Sequence, residues 1–431
     1  MNVRTQDVQS PSGRAKAKPA LLAVDDARAR IIAAMPPLPT ETVKLDGAAG
    51  RVLAEDVVAA VSHPPAVVSA MDGYACRCAD VASVPARLRR IGVSKAGARF
   101  AGTVLPGTCV RIFTGAAVPD GADAIVLQED ASEDGDQVEI VEAPKAGRHI
   151  RAAGSDFAIG EVCVAKSRTL TVRDVAVAAA CGRDAVVVRR RPKIAILSTG
   201  DELVEAGRSC GPDNIHASNG VALAAAVGLW GGEPIDLGIA PDQIDAIAAA
   251  LDRAAGTDLV VTTGGASVGD HDLVHAALQT RGFTTVFWKI AMRPGKPLMF
   301  GHLGRHLGRH LGAIPVLSMP GNPVSAQVCA LLFLRPAMRA MLGLAETGPR
   351  FVRVHLASPM PENDRREDYV RAQLSTDETG RLVAKPYPRQ DSGMGLVLAR
   401  ADGLIRRAPF APPARDGDEV DVIHFDTCGG F

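Results

Sequence analysis

Residues 193–203, KIAILSTGDEL, and residues 259–272, LVVTTGGASVGDHD, decide how this chain folds. Each starts as a short apolar run and ends abruptly in Thr, Gly and acidic residues. A run without polar alternation is a strand buried on both faces. Around these two, helical patterns over 217–230, 243–254 and 273–281 alternate with strand patterns over 234–239, 285–291 and 316–318. A last helix runs from Pro323 into Met341. Strands alternating with helices of this length predict a mostly parallel, doubly wound sheet over residues 191–345.

Working outward, residues 1–18 read as a disordered tail without the apolar stretch of a signal peptide. Helical spacing over 22–35 is stopped by Pro36-Pro37, and a second short helix is expected around 48–54. Short alternating runs at 87–93, 108–113, 124–128 and 137–141, separated by Gly, Pro and Asp clusters, predict a β-rich module over 66–154. A helix follows over 171–181, with Gly182 as its C-cap. From Phe351 short strands and turns return, so residues 346–431 are expected to form a second β domain. The fold class is multidomain α/β plus β.

Composition removes several function classes. The 48 basic and 48 acidic residues cancel, leaving no global field to draw in nucleic acid or anionic lipid. Aromatic residues are 4% of the chain, too few for base-stacking platforms. No uncharged apolar run reaches the length needed to span a bilayer, and a cytoplasmic location is expected. The eight cysteines form no C-x-x-C pair, so they read as reduced thiols and not as zinc ligands. The tandem HLGR at 302–305 and 306–309, continued by HLG at 310–312, would align three histidines on a helix. Its recurring glycines favour a slipped duplication in a hairpin loop.

Ligands of open parallel sheets bind at the carboxyl ends of the strands. Three loops fall there: Thr199-Gly200-Asp201-Glu202, Gly264-Gly265-Ala-Ser267 through Asp272, and Pro320-Gly321-Asn322-Pro323 with Ser325. Glycines let backbone N–H groups approach an oxyanion, while acids in the same loops repel a phosphate unless a divalent cation lies between. Glu202 and Asp272 therefore point to a Mg²⁺-bridged phosphate or pyrophosphate; the competing reading is tight turns whose acids cap helices. In Arg293-Pro-Gly-Lys296 two cations bracket a turn, either an oxyanion cradle or a solvated turn.

Together the segments SAMDGYA (69–75), RIFTGA (111–116), AGSD (153–156), STGDEL (198–203), TTGGASVGDHD (262–272), RPGKP (293–297) and MPGNPVSA (319–326) resemble, in order, the molybdopterin molybdotransferase family, relatives of the C-terminal domain of gephyrin. The resemblance implies four domains. These are an elongated helical domain (19–65 with 155–190), the inserted β module, a three-layer α/β pterin-binding domain and a C-terminal β-barrel. It implies Mg²⁺-dependent insertion of molybdate, as substrate, into molybdopterin-AMP with release of AMP. It also implies a homodimer whose active site is shared between subunits, with possible contact to a molybdopterin adenylyltransferase. By the same resemblance Asp72, Thr114, Asp156, Glu202 and Asp272 are catalytic, and Glu202, Asp242 and Asp272 hold the metal. Thr199, Gly200, Asp201, Gly264, Gly265, Ser267, Arg293, Lys296, Pro320, Gly321, Asn322 and Pro323 bind the substrate. Lys296, Ser325, Arg371 and Ser392 form the molybdate pocket. An adenylyltransferase, which is little more than the α/β domain, is the nearest alternative, and a scaffold of the same architecture is the other.

Overall fold

A computed structural model describes residues 21–264, 272–304, 313–345, 347–429 and 431. The chain divides into two compact units, residues 1–38 with 191–431 and residues 39–190.

In the first unit six strands form one sheet: β1 (Lys193–Thr199), β2 (Glu233–Ala240), β3 (Leu259–Thr263), β4 (Thr284–Trp288), β5 (Met299–Leu303) and β6 (Ile314–Met319). Their order is β2-β1-β3-β6-β5-β4. The first four in that order run parallel; β5 pairs antiparallel with β6, and β4 antiparallel with β5, at one edge. Successive residues of β1 face opposite ways, which makes the sheet the middle of three layers. Ile194 and Ile196 pack with Leu223, Val227, Val324 and Val328 on one face. Ala195 and Leu197 pack with Ile247, Leu251, Val274 and Leu278 on the other. From β1 the chain crosses to β2 on one side and then to β3 on the other. The strand order thus reverses at β1 and β3, where ligands of open sheets collect.

The helix expected from Pro323 is interrupted: Pro323–Cys329 and Arg335–Met341 flank a π-helical stretch, Ala330–Leu334. Pro336 has no N–H to give back along the helix, and a wider turn absorbs the gap. Antiparallel β5 and β6 are neighbours, and His302 and Leu303 lie in β5; residues 305–312 of the HLGR repeat, with His306 and His310, lie outside the described residues, and so does the reading of it as a hairpin loop.

Helix Val24–Ala33 is where the sequence expects one, but it does not belong with residues 39–65. Val24, Ala27 and Ile31 form one stripe buried in the α/β core, and the Leu38 N–H donates to the Met341 carbonyl at 2.7 Å. The C-terminal β domain is a closed barrel. Glu367–Thr376 pairs with both Leu382–Pro386 and Gly403–Arg407, and Val352–Leu356 and Glu419–His424 complete the ring. Met292–Arg293 runs alongside Glu367–Thr376 in this barrel sheet, which ties the Arg-Pro-Gly-Lys turn to it.

The second unit carries a six-stranded sheet in the order Ala124–Leu127, Gly73–Cys76, Thr108–Ile112, Ala86–Ser94, Gln137–Ile140, Ala131–Asp134. Helix Val172–Ala180 opens with a capping box between Thr171 and Asp174, and Gly182 follows it at φ 80°. The helix expected around 48–54 does not form. Thr40–Lys44 is a strand paired with Ala185–Arg189, a single turn covers Leu45–Gly47, and Val52 and Leu53 bridge to Thr169 and Val188. Gly50, at φ 77°, breaks the helical path, and cross-strand pairing outweighs the local apolar spacing. Among the described residues the one α-helix of this unit is Val172–Ala180, so the segments read as helical are largely paired strand. No helix among the described residues is long and apolar enough to cross a membrane.

Candidate active site

Strands β1, β3 and β6 lie side by side and end together, so their loops must pass each other closely. Gly264 sits at φ 99°, and a Cβ on it would lie 2.0 Å from the Thr199 carbonyl oxygen. A Cβ on Gly321 would come within 3.3 Å of the Gly264 Cα. Glycine is required for this stacking of loop on loop. The three loops floor a cleft of about 1040 Å³. Thr199, Glu202, Gly264, Pro320, Gly321, Asn322 and Pro323 line it, as the sequence expects of a substrate site. Gly265 and Ser267 lie outside the described residues. Gly200 and Asp201 do not line the cleft; Gly200 instead holds the turn that carries Glu202.

The acids stand at the same edge of the sheet. Asp201 accepts the backbone N–H of Asp242 at 2.9 Å. Burial, and then the neighbouring Asp201 and Glu202 carboxylates, push the Asp242 carboxyl above the usual range. Its Oδ1 is buried without a hydrogen-bond partner. Asp272 begins helix Leu273–Thr280, its Oδ1 accepting the His275 N–H at 2.8 Å. Its Oδ2 is likewise buried, with no hydrogen-bond partner among the described residues, and burial raises its pKa. So Asp272 is both a helix cap and a carboxylate with an oxygen to spare, and the two readings of that loop are compatible. Such acids fit a hard divalent cation that takes one or two carboxylates and draws its other ligands from substrate phosphate and water. They do not fit an all-protein cage: among the described residues no group of three or more His, Cys, Asp or Glu is arranged to hold a metal.

The two cations of the Arg-Pro-Gly-Lys turn differ. Both line the cleft, but Arg293 donates to Asp368 at 2.9 Å and 3.4 Å away meets Asp364, so its charge is already answered. Lys296 has no ion-pair partner among the described residues. Ser325, 4% exposed, and Ser392 share the cleft with it. Asn322 Nδ2 donates to Ser392 Oγ at 2.8 Å, joining the β6 loop to residues 390–393. Arg371 does not reach this cleft. It is 1% exposed and lines a neighbouring cavity, donating to Gln390 Oε1 at 3.2 Å and the Met394 carbonyl at 3.1 Å. Arg371 thereby holds both ends of the loop that carries Ser392.

In the second unit Asp72 and Thr114, 42 residues apart, form one constellation. Asp72 Oδ1 accepts from both Thr114 Oγ1 and the Thr114 N–H, each at 2.7 Å. These bonds hold the Asp72 carboxyl below its usual range, helped by Arg111. Arg111 lies between the Tyr74 and Phe113 rings, 5.0 and 4.9 Å from their centroids. Asp156 is exposed on the turn after Gly154, its N–H donating to the His63 carbonyl at 3.0 Å. The Asp72 shift has a sign. A carboxyl depressed on folding adds stability above its unfolded pKa of about 3.9, and that contribution disappears as pH falls through the folded value. Thr114→Val removes the hydroxyl donor, so the Asp72 pKa is expected to rise in a carboxyl-carbon NMR titration; an unmoved value would dissolve the pair.

Three family models cover most of the chain: the "MoeA N-terminal region (domain I and II)" matches residues 22–182, the "Probable molybdopterin binding domain" residues 195–340, and the "MoeA C-terminal region (domain IV)" residues 353–425. A molybdopterin molybdenumtransferase from Haemophilus influenzae is 35% identical over 94% of this chain and 99% of its own. This chain belongs to the molybdopterin molybdenumtransferase family. A relative of the same name from a Nostoc species is 36% identical over 85% of this chain and 84% of its own. The crystal structure of a molybdopterin biosynthesis moeA protein from Pyrococcus horikoshii superposes with a TM-score of 0.78 at 28% identity, covering 94% of this chain and 99% of that one. The multidomain α/β plus β architecture read from the sequence is the family's architecture.

Two residues of this family member escaped the sequence reading. Asn219 lines the cleft from the first turn of helix Ser218–Leu229. Lys289, whose charge acts on Asp272, holds φ 73°, a conformation uncommon outside glycine, with its ammonium 4.6 Å from the Trp288 ring centroid. Neither lies in a glycine-rich segment, and only the fold brings them to the site.

Proposed function

We propose that this chain inserts molybdate into adenylyl-molybdopterin, releasing AMP, in the cytoplasm and as a homodimer. One observation carries the reading: glycine-built loops from three strand ends, a lysine without a carboxylate partner among the described residues and two serine hydroxyls face one cleft. The glycine loops suit the phosphoanhydride, because backbone donors at strand ends grip phosphate oxygens without a side chain in the way. Lys296, Ser325 and Ser392 suit molybdate, a tetrahedral oxyanion that asks for a cation and hydroxyl donors. Arg371 serves that pocket indirectly, by fixing the loop of Ser392. Glu202, Asp242 and Asp272 are the residues that would hold Mg²⁺, which when bound supplies charge neutralisation to the phosphates. Asp72, Thr114 and Asp156 complete the set as the family resemblance assigns them, from the partner subunit.

The work of the chain is positioning. The loops hold the anhydride, Lys296 and the serines hold molybdate, and the acids stand at the sheet edge beside them. Water attacks the phosphoanhydride, so AMP leaves and the pterin keeps its phosphate; the two dithiolene sulfurs displace molybdate oxygens, which depart as water with protons from the thiols and solvent. The test is AMP release from adenylyl-molybdopterin with Mg²⁺, with and without molybdate. Molybdate-dependent release is the expected result. Synthesis of the adduct from ATP and molybdopterin would make the chain an adenylyltransferase, and neither activity would leave a scaffold.

A further inference from the structure

We infer that Asn219 is a positioning residue that sets the width of the phosphate cradle by bolting the β3 and β6 loops to each other. The inference deepens the proposed function and rests on it. The Asn219 amide sits in the first turn of helix Ser218–Leu229 and lines the cleft. Its Nδ2 donates twice, to Thr263 Oγ1 at 3.0 Å and to the Gly321 carbonyl at 2.6 Å. Thr263 in turn donates its hydroxyl proton to the Pro320 carbonyl at 3.3 Å. The direction of the chain is forced: Thr263 spends its proton on Pro320, so its oxygen is an acceptor, and the Gly321 carbonyl can only accept. The amide must present its NH₂ to both.

The three groups thus joined are the last residue of β3, immediately before Gly264, and the Pro320-Gly321 turn after β6. These two loops are the ones packed glycine against glycine, where a Cβ at Gly321 would stand 3.3 Å from the Gly264 Cα. Glycines permit close approach but do not enforce a separation, since they add no contact of their own. Asn219 supplies the missing constraint from a third element, the helix that follows β1. A displacement of either loop stretches one of its two bonds. Its Oδ1 is a buried acceptor with no partner among the described residues, a cost that a residue selected only to cap or pack would shed.

The role is separable from general stability. Asn219→Ala removes both donors without adding bulk. It is expected to weaken AMP binding about tenfold, equivalent to about 1.4 kcal/mol, with Tm lowered by little. Asn219→Asp keeps the shape but sets acceptors against the Gly321 carbonyl, and is expected to bind AMP no better than the alanine variant. Thr263→Val removes the other end of the same bond, whereas Thr263→Ser retains it and is expected to bind as the parent does. In a double-mutant cycle Asn219→Ala with Thr263→Val should cost clearly less than the two losses added. In turnover, the loss should appear in KM for adenylyl-molybdopterin with kcat changed less. AMP affinity unchanged in Asn219→Ala, full affinity in Asn219→Asp, or strict additivity in the cycle would each overturn the inference. A parent protein that binds neither AMP nor molybdopterin would instead sink the proposed function, and this inference with it.

Discussion

Gly264→Ala is expected to be the most damaging single methyl group in the α/β domain. Its Cβ would stand 2.0 Å from the Thr199 carbonyl oxygen, a backbone atom that cannot rotate away, at a φ of 99° that L-residues rarely adopt. Backbone strain of about 1–2 kcal/mol adds to about 1–3 kcal/mol of overpacking. For a unit of this size the total, about 2–5 kcal/mol, corresponds to a Tm lower by roughly 4–20 °C. Activity is expected to fall further than stability, because the β1 and β3 loops can part only by opening the cradle. Gly228→Ala is the control. It lies within helix Ser218–Leu229 with nothing within 4 Å of the added carbon. There alanine is expected to stabilise the helix by up to about 1 kcal/mol and leave turnover alone. Thermal melts and AMP release on both variants decide the matter. A Gly264→Ala protein with parental activity would show that the loops need not touch.

Asp272→Asn separates the two jobs of one side chain. Asparagine caps helices as well as aspartate does, and its oxygen can still accept the His275 N–H. The fold is therefore expected to survive. Stability at neutral pH is expected to hold or rise. A carboxyl whose pKa is raised by folding lowers stability once pH exceeds its unfolded value, fully so above the folded one, and the amide carries no such penalty. What disappears is the carboxylate charge at Oδ2, buried and without a hydrogen-bond partner among the described residues, that a cation would use. AMP release is expected to fall at least 100-fold, about 2.7 kcal/mol in the barrier. Isothermal titration with Mg²⁺ and the bound nucleotide should lose its signal in step. Full activity would remove Asp272 from the site and return it to helix capping alone.

Much of this was legible in the chain, and the pattern of what was not is physical. A buried parallel strand has an apolar run, a helix its 3.6-residue spacing, and a strand-end loop its glycines, all within a dozen residues. KIAILSTGDEL and LVVTTGG therefore declare their strand, their turn and the edge where a ligand binds. The same locality misled at residues 48–54, where apolar spacing mimicked a helix and pairing with Ala185–Arg189 and Thr169 prevailed. It also misled at residues 24–33, whose helix is local but whose partner, the α/β core, is more than 150 residues away in sequence. Alternation of the same kind announced the C-terminal β domain, but closure of its barrel needed Glu367–Thr376 to pair on both edges.

The candidate site divides in the same way. Residue types and order alone determined the three strand-end loops, the family they resemble and the acids and cations worth naming. Only the tertiary structure decided which of those charges are free. Arg293 and Lys296 read alike in sequence, yet Asp368 and Asp364 claim the first and leave the second to the cleft. Arg371 proved to hold a loop, and Asn219 to join two others. The reason is that a charge or a donor is defined by what has already answered it. That partner comes from wherever the fold brings the chain back, at a distance no local pattern encodes.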